Sequence, residues 1–115
     1  MDTSSHGKYH DTVITYQALK DMHKMPQSHA DGMALLFHAL GNVEYPLDHP
    51  TVSPIYCTSG RIFRQKFPVK CILLSWRNLL VSDHKERQTL RLIGVRKRNG
   101  WTYDPEALEF LLEAV

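Results

Sequence analysis

The chain predicts an α+β domain of winged-helix type: a helix-turn-helix, a small antiparallel sheet with a basic hairpin, and a C-terminal helix. Two segments with helical spacing of apolar residues, Tyr16 to Met22 and Met33 to Leu40, are separated by a short break at Pro26. Apolar runs between Ile55 and Val95 are punctuated by turn residues, as strands are. The stretch from Ile93 to Asp104 reads as a hairpin, with Asn99-Gly100 at the turn and Arg96, Lys97 and Arg98 at its tip.

Taken in order, residues 1–10 are polar without a period and are expected to be a disordered tail, leaving 11–115 as one domain. From Thr15, a residue suited to capping, Tyr16, Leu19 and Met22 recur every third position and predict a helix of about ten residues. Pro26 disfavours helical geometry at Met25 and ends it. Ser28 with Asp31 three residues on resembles a capping box, and Met33, Leu36, Phe37 and Leu40 form the apolar face of the second helix, which Gly41-Asn42 terminates. The spacing of the two helices places Gln27, Ser28 and His29 where a recognition helix begins.

Past a proline-rich connection, Ile55 to Cys57 reads as a strand and Ile62-Phe63 with Phe67 as its return. The run CILLSWRNLL is almost continuously apolar, which periodicity alone leaves open between helix and buried strand; Leu73, Trp76 and Leu80 share a helical face, favouring helix over residues 73–81. Leu90, Leu92, Ile93 and Val95 form a strand in which Gly94 permits a bulge and a change of face. Asp104 as cap, Pro105 in the first helical position and Leu108, Phe110, Leu111 and Val115 mark the last helix.

The 115 residues, 43% hydrophobic, suffice for one core without covalent staples. Cys57 and Cys71 do not form a disulfide framework, there is no positive-then-apolar leader, and no apolar run approaches the roughly twenty residues that span a bilayer. A cytoplasmic protein without membrane contact is expected. Net charge is +2, but eleven of the fourteen cations lie between Gly60 and Gly100 with only Asp83 and Glu86 opposing them. That asymmetry suits a polyanion, or alternatively a solvated surface whose cations pair with the acidic remainder.

The segment VITYQALKDMHKMP, followed by a helix ending in FHAL and a proline-rich approach to SPIYCTSGRIF, resembles the winged-helix DNA-binding domain of DNA alkyltransferases and alkyltransferase-like proteins over about residues 13–57. The resemblance implies that Tyr16 lies beside a DNA phosphate and that Gln27 to His29 open the recognition helix. Cys57 falls near the family's reactive cysteine, but Tyr56, Thr58 and Ser59 flank it without the activating histidine, and Ala30-Asp31-Gly32 replaces the arginine inserted into the base stack. The resemblance therefore implies a DNA-binding scaffold and not alkyl transfer.

The residues themselves offer no catalytic set. Both cysteines sit in apolar runs, where burial disfavours the thiolate. Of the seven histidines, His6 and His10 are four apart in the expected tail and His29 and His38 are nine apart; none has metal-ligand spacing, so neither metal nor cofactor is expected. Glu106, Glu109 and Glu113 have the spacing of a solvated helical face. A small nuclease or modifying enzyme would need an acid, base and metal set that is not present. The basic hairpin has the stronger physical case: Arg96, Lys97 and Arg98, with Arg61, Arg64 and Arg91 nearby, would hold phosphates, while Trp101 and Tyr103 either pack beneath the tip or stack on unpaired bases. Non-catalytic binding of duplex DNA is the expectation. The alternative is a small adaptor or inhibitor that docks its basic face onto an acidic protein surface.

Overall fold

A computed structural model describes residues 2–55, 61–67, 73, 75–83, 89–97 and 105–113. Six strands form one sheet: β1 (Thr3–His6), β2 (Asp11–Ile14), β3 (Val52–Pro54), β4 (Phe63–Gln65), β5 (Trp76–Asp83) and β6 (Thr89–Lys97), in the order β1-β2-β6-β5-β4-β3. All neighbours are antiparallel except β2 and β6. Between β2 and β3 run helices α1 (Tyr16–Met22) and α2 (Gln27–Ala39), and α3 (Pro105–Glu113) follows β6.

Local signals place the helices much as expected. Thr15 caps α1, its hydroxyl accepting from the Ala18 N–H, and the chain breaks before Pro26. The capping box is not formed: Pro26 itself is the N-cap of α2, and Asp31 accepts from the Gln27 side-chain amide instead. The buried side of α2 is Ala30, Met33 and Phe37. On α3, Leu108 and Leu111 are buried but Phe110 is exposed.

The winged-helix expectation fails at the sheet. Residues 76–83 form a strand, not a helix, because the sheet is covered on both faces and the period-2 alternation is masked when both sides are apolar. One layer packs α1 and α2 against Ile14, Leu80, Leu90, Leu92 and Val95; the other packs Leu108 and Leu111 of α3 against Ile62, Leu79 and Ile93. The bulge expected near Gly94 is present: Leu79 faces Gly94 while Leu80 faces Leu92, so the extra residue Ile93 turns to the α3 layer and Val95 returns to the other.

Thr3–His6, expected in a frayed tail, pairs with β2 as an edge strand. The first expected hairpin shifts by a few residues, Val52–Pro54 pairing with Phe63–Gln65. Arg96 and Lys97 close β6 and face Arg77 and Trp76 of β5, while the expected turn at Asn99-Gly100 falls outside the described residues. Arg98, residues 99–104, Val115 and both cysteines lie outside the described residues. Among the described residues no helix is long and apolar enough to cross a membrane.

Candidate functional site

Strand β2 ends at Ile14, opposite Leu92, so among the described residues no strand continues along the remainder of that edge of β6. Helix α1 takes over that edge. The Thr15 backbone N–H and hydroxyl both donate to the Leu92 carbonyl, at 3.1 and 2.8 Å. Six residues on, the Asp21 carboxylate accepts the Val95 N–H at 3.0 Å and also pairs with the Arg96 guanidinium, which donates to the Val95 carbonyl at 3.1 Å. Backbone groups that would otherwise template another strand are thereby satisfied by side chains.

Between α1 and this end of β6 lies a groove of about 510 Å³ lined by Gln17, Asp21, Lys24, Trp76, Val95, Arg96 and Lys97. Trp76 sits opposite Lys97 across the β5–β6 ladder, and the Lys97 ammonium lies 5.5 Å from the indole centroid. Lys24 comes from the turn that closes α1, its backbone N–H bonded to the Asp21 carbonyl. Among its described lining residues three cations therefore accompany one carboxylate, which the Val95 N–H and Arg96 engage. Sequence patterning marked Arg96 and Lys97 but not Asp21, Lys24 or Trp76. Trp76 carried the only local hint, as part of an apolar run assigned to a helix.

The other expected site residues that the structure describes are not among those lining this groove. Arg64 and Arg91 project from the α3 side of the sheet, facing Leu79 and Val81 respectively, which strand spacing separates by roughly 12 Å. The Arg64 Nε–H donates to the Ser53 hydroxyl at 3.0 Å, and Arg61 is exposed just before β4. Tyr16 opens α1 with its ring exposed and the Lys20 ammonium 5.0 Å from the ring centroid; its N–H donates to the Asp2 carboxylate. Gln27 and Ser28 are exposed and His29 half-buried at the start of α2, the first of them bonded to Asp31. Arg77 is buried, with a guanidinium N–H donating to the Trp76 carbonyl. Among the described residues, Arg96 and Lys97 thus lie at the α1 groove, Arg64 and Arg91 on the α3 side of the sheet, and Arg77 in the interior.

A second polar cluster is structural. Thr12 Oγ1 lies 2.6 Å from His38 Nδ1, and burial holds the imidazole below its ordinary pKa. Asn78 donates to the Met33 carbonyl and to Gln65, which donates to the Leu36 carbonyl, tying α2 to the sheet. Among the described residues no group of three or more His, Cys, Asp or Glu side chains is placed to hold a metal ion.

No protein-family model matches the sequence, and no curated protein matches it. The fold is similar to that of a chain in the crystal structure of the toxin–antitoxin complex RelBE2 from Mycobacterium tuberculosis, with a TM-score of 0.55 over 84% of this chain and 100% of that one, at 17% identity. At that identity the likeness is one of fold. It replaces the alkyltransferase resemblance and the winged-helix class, and the reading as a duplex-DNA binder falls with them: the helix pair that was to enter the groove is instead one layer over a six-stranded sheet.

Proposed function

We propose that this chain acts by associating with a protein partner, as one half of a toxin–antitoxin pair. The observation that carries the reading is the likeness of fold to a chain in the structure of a toxin–antitoxin complex. The charge distribution supports it: cations line both the α1 groove and the α3 side of the sheet, and such surfaces steer association with an acidic protein. Of the two sequence readings, the adaptor or inhibitor that meets an acidic protein surface is the nearer one.

The test is expression of the chain in a bacterial host under a tight promoter, together with tagged expression at native level in its own organism. Growth arrest on induction, relieved by a protein that co-purifies in stoichiometric amount, identifies the toxin half; silent expression that relieves arrest caused by the co-purifying protein identifies the antitoxin half. Absence of both growth effects, with no stoichiometric protein retained at low salt, refutes the proposal.

A further inference from the structure

We infer that the groove between α1 and the end of β6 is the seat for a carboxylate-rich segment of the partner. The inference rests on the preceding reading of the chain as one member of a protein pair, and adds where the partner sits and what chemistry it brings. Among the described residues that line the groove, Lys24, Arg96 and Lys97 bring positive charge from two different parts of the chain and Asp21 brings a carboxylate, which pairs with Arg96. That carboxylate is spoken for, by the Val95 N–H and by Arg96, so it opposes an incoming anion less than a solvated one would.

The groove is also not a bare electrostatic patch. The indole of Trp76 gives it an apolar lining, suited to the methylenes of glutamate or to an adjacent leucine, while the exposed side chains of Lys24 and Lys97 bring positive charge to it. Side-chain capping of the β6 edge argues against recognition by strand addition: the Val95 N–H and C=O that a new strand would need are already bonded. Recognition is thus by side chains, through ion pairs at the rim and apolar contact on Trp76. Such pairs raise the association rate and weaken with salt.

The experiment titrates the full chain, carrying Trp101→Phe so that Trp76 is the remaining indole, with a short amidated peptide of alternating glutamate and leucine. The same titration is made with its glutamine counterpart and with a single-stranded oligonucleotide. The expected result is a Trp76 fluorescence change on adding the acidic peptide, little with the glutamine peptide, and roughly tenfold weaker binding in Lys24→Glu/Lys97→Glu. Both lysines are exposed, and far-ultraviolet circular dichroism checks that the variant folds. The inference is overturned if acidic-peptide affinity is unchanged in the double variant, if no binding is seen, or if the oligonucleotide binds in a lysine-dependent manner and the peptide does not. A native partner that still binds the double variant with unchanged affinity sinks the groove assignment alone, whereas failure to find any partner sinks the pairing itself.

Discussion

Replacing Asp21 by alanine removes the group that closes the open edge of β6 and should be among the most destabilising single changes on α1. Its side chain is 9% exposed and that of Arg96 17%, so both are largely withdrawn from water. The substitution leaves the Val95 N–H without its acceptor and removes the Asp21 carboxylate from the Arg96 guanidinium. A hydrogen bond to a charged group contributes about 1.5–3 kcal/mol, and breaking a buried pair costs about 3–5 kcal/mol. Partial rehydration of Arg96 lowers the sum, and about 3 kcal/mol is expected for Asp21→Ala. Asp21→Asn keeps an acceptor for Val95 and should lose only about 1–2 kcal/mol. Urea unfolding followed by circular dichroism measures both; with a slope of about 1–3 kcal/mol per molar, the alanine variant shifts the midpoint by roughly 1–3 M. A double-mutant cycle with Arg96→Ala should return a coupling of about 1 kcal/mol or more. A loss below about 0.5 kcal/mol for Asp21→Ala, the range of surface substitutions, would refute the assignment of this carboxylate as the structural stop on β6.

Burial lowers the His38 pKa, so on acidification the unfolded chain takes up this proton first. Its contribution is fully present above the ordinary histidine value of about 6.5 and is lost as pH falls below it. Wild type should lose stability more steeply than His38→Gln on acidification below that point, by at most about 1.4 kcal/mol per pH unit, and parallel pH profiles would contradict this. A Cβ on Gly41 would lie 2.7 Å from the His10 carbonyl oxygen and one on Gly7 2.5 Å from the Gly41 carbonyl carbon, so each alanine variant should cost about 2 kcal/mol or more. Among the described residues a Cβ at Gly32 meets the Leu73 side chain, at 3.0 Å, inside α2; the gain in helix propensity offsets the small shift of Leu73, and thermal melts should find Gly32→Ala near neutral.

What the sequence determined was local. Thr15 as cap, Pro26 as break, Met33 and Phe37 as a buried helical face, Pro105 at the start of α3 and the irregularity beside Gly94 all depend on groups a few positions apart, and all are found. Tertiary structure decided the rest. The strand at 76–83 looks helical in isolation because covering both faces of the sheet erases the alternation that distinguishes a strand, and Thr3–His6 is ordered by its pairing with β2 rather than by any preference of its own. The candidate groove depends on an ion pair between residues 75 positions apart and on where β2 stops along β6. Cationic residues are legible in a sequence as charges; the surface each one serves is set by the register of the strand that carries it, and that register is a property of the folded sheet.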